Sequence, residues 1–169
     1  KYLSLLADDK SAQVRREAAI ALRFIGTETA AEQWAHLAAQ HTTGDRWYLE
    51  ALGIGADKFP ELYFNAWKSN VGENWQSEAG KEIVWRIRAK ESVPMLVSLI
   101  KDQTVPSTKL ASYFRALDFK DHPGKDNYLM DMLTWNHPLK NQIQAYAIGQ
   151  MDSKFVYSSH KNIRMVKEV

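Results

Sequence analysis

The sequence predicts an all-α fold of stacked helical hairpins, and three observations predict it. Apolar residues recur at 3/4 spacing along most of the chain. Alternating runs and β-branched clusters, the marks of strands, are scarce. An Ala-Leu pair returns at a near-constant interval, once in every second helix, as stacked repeats require.

Taken in order, the chain opens within an apolar pattern, KYLSLLADD, and reads as a piece cut from a longer protein. The stretch SAQVRREAAIALRFIG then sets Val14, Ala18, Ala21, Leu22 and Ile25 on one helical face, with Ser11 as N-cap and Gly26 past the end. Helices follow at about 28–41, 45–55, 59–69, 76–89, 92–101, 106–118, 124–134, 138–150 and 158–168. Pro60, Pro94, Pro106 and Pro138 fall near helix starts, where a missing N–H costs nothing. Ala21-Leu22 recurs as Ala51-Leu52 and Ala116-Leu117, and loosely as Arg86-Ile87 and Ala147-Ile148. This spacing defines hairpins at approximately 1–26, 27–56, 57–90, 91–118 and 119–151, with a partial unit over 152–169, in a single repeat domain over 1–169.

The segment DRWYLEALGIGADKF, residues 45 to 59, is the second helix of the second hairpin. Asp45 caps it, and Tyr48 and Leu52 fall on the core side where Ala18 and Leu22 fell. Gly55 is expected to end the helix in a left-handed turn, and Gly53 to admit a close neighbour.

The first unit resembles a HEAT repeat. Leu3, Leu6 and the Asp8-Asp9 turn end one helix; Val14-Arg15, Ala18-Ala19, Leu22 and Gly26 follow in the next. Later units keep the Ala-Leu core without the Val-Arg pair. The resemblance implies a right-handed α-α superhelix, a HEAT-like solenoid of about five helical hairpins, whose second helices line the concave surface. It also implies that Arg15 is structural, laddering with the turn aspartate. The segment GDRWYLEALGIGAD is further similar to HEAT-containing regions of large secreted bacterial proteins that join a dehydrogenase-like propeller to a c-type cytochrome. This chain has no CxxCH motif and no propeller repeat, so only the role of a periplasmic spacer or docking module is implied.

Relative to Leu22 and its equivalents, residues six before, two before and one after point away from the core at 100° per residue. They are Arg16-Ile20-Arg23, Arg46-Glu50-Gly53, Lys81-Trp85-Arg88, Ala111-Arg115-Asp118 and Gln142-Tyr146-Gly149. Cations outnumber carboxylates on this stripe, although the whole chain carries only +2. The expected ligand-binding residues are therefore Arg16, Arg23, Arg46, Glu50, Lys81, Trp85, Arg88, Arg115 and Tyr146. Cations would steer an acidic segment inward, and Trp85 with Tyr146 would supply contact area. A solvated helix face is also normally rich in arginine, with Glu50 pairing Arg46 at i,i+4.

Of the six tryptophans, most are expected in the core or between repeats; Trp47, at the edge between core and groove, and Trp85, within the stripe, are the candidates for contact with a ligand. His36 and His41 lack the i,i+4 spacing of a zinc pair, while His122-Pro123 and His137-Pro138 read as turns. No cysteine is present, which excludes thiolate catalysis, thiolate metal sites and disulfides, and leaves the compartment open. No phosphate loop, nucleophile elbow or EF-hand loop occurs, and no apolar run reaches the ~20 residues of a membrane span. The expectation is a non-enzymatic scaffold that docks a protein or a neighbouring domain of its own chain, with no cofactor and no metal. The alternative is a DNA-binding HEAT-like glycosylase, disfavoured because so few cations would track phosphates only weakly.

Overall fold

The structure, a computed structural model, describes residues 2–152 and 154. Among them are ten α-helices and no strand. They are α1 (Tyr2–Ala7), α2 (Ala12–Ala21), α3 (Glu28–Ala39), α4 (Arg46–Gly55), α5 (Pro60–Val71), α6 (Glu78–Arg86), α7 (Ser92–Lys101), α8 (Ser107–Asp118), α9 (Lys125–Met132) and α10 (Lys140–Gln150). Short 3-10 turns, Leu22–Phe24 and Gly72–Gln76, extend α2 and join α5 to α6. The helix expected at 158–168 lies outside the described residues.

The chain forms two compact units, residues 1–99 and 100–169, divided within α7. In the first unit α1, α3 and α5 pack in succession, and so do α2, α4 and α6. Alternate helices therefore pack in two rows, α1–α3–α5 and α2–α4–α6. Leu22, Leu52 and Ile87, aligned by the sequence spacing, are all buried, Leu22 and Ile87 just past the ends of α2 and α6. The large aromatics Trp34, Tyr48, Tyr63, Phe64 and Trp67 fill the space between the layers.

Three of these aromatics place a buried polar tip on a main-chain carbonyl, which offsets its desolvation, whereas Arg15 Nε and His41 Nδ1 are buried without a hydrogen-bond partner among the described residues. Trp34 Nε1 donates to the Leu52 carbonyl at 3.0 Å. The Tyr48 hydroxyl donates to Leu37 O at 3.0 Å. The Tyr63 hydroxyl lies 2.7 Å from both Leu22 O and Ile25 O, and burial pushes its pKa up to about 12.

Several local expectations are corrected. Ser11 holds the N-cap position of α2 but its side chain accepts no hydrogen bond; Asp9 instead accepts from the Ser11 N–H at 2.7 Å. Gly55 does not end α4 in a left-handed turn: it is the last helical residue, and a Cβ there would stand 2.2 Å from Ala19 O. Its role is the close approach of α2 to α4. The neighbour expected at Gly53 is Arg86, whose Cζ would lie 2.2 Å from an added Cβ. Asp45 does cap α4, accepting from Tyr48 N–H at 2.9 Å. Arg15 is structural in its contacts, but it binds the carbonyls of Asp9 and Lys10 at 2.7 and 3.1 Å rather than an aspartate side chain. Its guanidinium also lies 5.7 Å from the Tyr48 ring centroid, linking successive hairpins.

In the second unit α9 packs on α10, and α8 meets α10 through Phe114 and Tyr146, stacked 4.0 Å apart. The two His-Pro turns are built alike. Nδ1 of His122 accepts from Gly124 N–H at 3.0 Å, and Nδ1 of His137 accepts from Leu139 N–H at 2.9 Å. Buried His137 also reaches Asp102 O through Nε2 at 3.0 Å, which identifies Nε2 as the protonated nitrogen. Among the described residues, no helix is long and apolar enough to cross a membrane.

Candidate interaction face

The face expected to bind divides between the two units. Arg16, Arg23, Arg46, Glu50, Lys81, Trp85 and Arg88 belong to the first, and Arg115 and Tyr146 to the second.

On α4, helical geometry separates two sides. Gly55 meets α2 and Gly53 meets α6. Arg46 and Glu50 lie within about 60° of Gly53, so both face α6. There Arg46 pairs with Glu50 at 2.6 Å, and Arg86 donates from Nε to the other Glu50 oxygen at 2.8 Å. The Arg46 guanidinium stands 5.3 Å from the Trp85 ring centroid. Two guanidiniums thus share one carboxylate, and one of them sits beside an indole. Arg46 keeps 65% of its side chain in solvent against 28% for Glu50, so the pair itself adds little stability. Its effect is to fix the direction in which Arg46 and Trp85 present themselves.

A second cluster surrounds Asp57. Arg23 grips its carboxylate with two hydrogen bonds, at 2.8 and 2.6 Å, and thereby holds the Asp57 carboxyl below the usual range. Lys58 and Arg88 add attraction from farther away. The Arg23 guanidinium also lies 5.2 Å from the ring of Phe24, which is 71% exposed. Here too the cations exceed the carboxylate they surround.

The remaining expected residues are placed as follows. Lys81 pairs with Glu78 at 2.9 Å on its own helix. Arg16 is half-buried on α2 and Arg115 is exposed on α8; neither joins an ion pair among the described residues. Arg88 lies beyond the end of α6, because Ile87 turns to extended backbone (ψ 148°), so helical periodicity no longer sets its direction. Tyr146 is engaged within its own unit. It stacks on Phe114 and donates to Asp118 Oδ1 at 2.8 Å, and burial with that bond raises its pKa well above the ordinary value.

Four participants lie off the stripe. Arg86 aligned with Ala51 as a core residue, yet its guanidinium lies over Gly53 and reaches Glu50. A glycine facing an arginine one repeat later is the signal that could have found it. Asp57 and Phe24 lie in turns, which periodicity does not describe. Trp47, placed at the core edge by the sequence, is 74% exposed.

Elsewhere in the first unit, buried His41 bonds through Nε2 to Glu82 at 2.7 Å, and Glu82 also accepts from Gly44 N–H. This ties the α3–α4 turn to α6. Among the described residues no three histidine, aspartate or glutamate side chains converge to hold a metal ion. The face offers fixed cations, one indole turned by a guanidinium and a second indole in solvent. No protein-family model, curated protein or solved structure matches the chain.

Proposed function

We propose that the first unit is a HEAT-like docking module which binds an acidic protein segment on the solvent-exposed side of α2, α4 and α6, the side that is concave in a HEAT-like solenoid. The observation that carries this reading is Trp47, 74% exposed and next to Arg46 on the same helix turn. An indole left in water loses the burial it would gain elsewhere, whereas at an interface it is among the strongest anchors. The cation excess around Glu50 and around Asp57 supplies the sign of the partner's charge. Successive pairing of alternate helices supports a solenoid arrangement, in which such a face is continuous across repeats. Arg46 and Trp47 would provide entry and anchoring, while Arg86 and Glu50 hold Arg46 in place.

The test is selection from a peptide library in which acidic, neutral and basic segments are equally represented, at low and at physiological salt. Acidic segments carrying an apolar residue should be enriched at both, more strongly at low salt. Equal capture of all three classes would sink the reading. A labelled DNA duplex run alongside separates the nucleic-acid alternative, which requires a shift that disappears steeply with salt.

A further inference from the structure

A cavity of about 280 Å³ opens in the first unit among α3, α5, the Gly72–Gln76 turn and α6. We infer that this cavity is a binding site for a small uncharged molecule, with a bicyclic-sized apolar body and one amide or hydroxyl end.

The space exists because small side chains line it. Ala38, Ala39 and Gly80 stand where larger residues would close the gap. Gly80 is fixed by contact, since a Cβ there would lie 2.3 Å from Trp75 O. Trp67 and Ile83 supply apolar wall. An engineered cavity of roughly 150 Å³ holds benzene, so this one has room for two fused rings.

Besides His41, the polar lining residues are Asn70, Asn74 and Ser77. Among the described residues the side-chain amides of Asn70 and Asn74 make no hydrogen bond, and Ser77 Oγ accepts from Gly80 N–H, leaving its own proton to donate. These groups can both give and receive, as an amide or hydroxyl requires. His41 also lines the cavity; its buried side chain bonds Glu82 through Nε2, while Nδ1 makes no hydrogen bond among the described residues.

Charge decides the class. No aspartate, glutamate, lysine or arginine lines the cavity, in a chain of which 25% is charged. An anion would find no cation there, and the start of α6 already carries Glu78 in its first turn. A cation would find no carboxylate among the lining residues. An apolar wall with a few convergent neutral polar groups is the ordinary form of a small-molecule site. This inference does not depend on the docking face.

The experiment titrates the whole chain with naphthalene-2-carboxamide and, separately, with naphthalene-2-carboxylate, followed by amide NMR. The carboxamide should bind saturably with a Kd of about 1 mM or tighter, as expected for a ligand of that size. It should shift the side-chain signals of Asn70, Asn74 and Trp67, and bind at least tenfold more tightly than the carboxylate. Ala38→Leu, which fills the cavity, should abolish binding. Asn74→Ala, on an exposed residue, should weaken it severalfold with unchanged melting, and decides the matter if Ala38→Leu does not fold. Absence of saturable carboxamide binding, equal affinity for the carboxylate, or shifts confined to other residues would each overturn the assignment.

Discussion

Two glycines two residues apart in α4 show how the same residue answers different needs. Alanine is favoured over glycine inside a helix by about 1 kcal/mol. At Gly53 the added methyl would meet the guanidinium of Arg86, the mobile end of a long side chain, which can swing away at the expense of its bond to Glu50. At Gly55 it would meet the main-chain carbonyl of Ala19, which cannot move without parting α2 from α4. Gly53→Ala should therefore melt within about 1 kcal/mol of wild type, whereas Gly55→Ala should lose roughly 1–3 kcal/mol to overpacking. Equal effects in denaturant melts would refute the distinction. Tyr63 gives a second prediction at this scale. Burial raises its folded pKa from 10.0 to about 12, so folding favours the neutral hydroxyl. Its stabilising contribution is complete below about pH 10 and is lost as the pH climbs towards about 12. Tyr63→Phe should cost about 1–3 kcal/mol at neutral pH, and its deficit should shrink across that alkaline window. A deficit independent of pH would contradict the cause given for the shift.

At the scale of elements, the helices between residues 11 and 150 were legible because 3/4 spacing runs through them, with Asp45 capping α4 and Pro60 opening α5. What was not legible lies at their ends. Periodicity carried α6 to residue 89, but Ile87 adopts extended backbone and Ala89 is fully buried beyond the helix end. The left-handed turn assigned to Gly55 is absent because contact with α2, a tertiary constraint, explains that glycine. The His-Pro turns were recognisable as turns, although their chemistry was not. Each imidazole Nδ1 replaces the oxygen of an Asx-turn by accepting the N–H two residues on. His137 is the more consequential, being buried and bonded on both nitrogens. His137→Phe would strand the Leu139 N–H and the Asp102 carbonyl, costing about 1–3 kcal/mol and raising amide exchange at Leu139. Unchanged exchange at that amide would show that the turn holds without the imidazole.

For the molecule as a whole, charge is informative only when localised. A net +2 says nothing, but the first unit gathers Arg46 and Arg86 on one carboxylate and Arg23, Lys58 and Arg88 about another. The sequence stripe anticipated the Arg46–Glu50 pair but missed Asp57, which is distant in sequence from Arg23 and sits in a turn. It credited Tyr146 with free contact area, whereas that ring is stacked on Phe114 and its hydroxyl is given to Asp118. Trp47, with Trp85 a candidate for ligand contact from the sequence, is the more exposed of the two. The most direct test of the docking account is a calorimetric titration of a library-selected acidic peptide against wild type and Trp47→Ala, with melting measured on both. The account predicts at least tenfold weaker binding by the variant, with melting unchanged because the indole lies in solvent. Wild-type affinity in Trp47→Ala would contradict it.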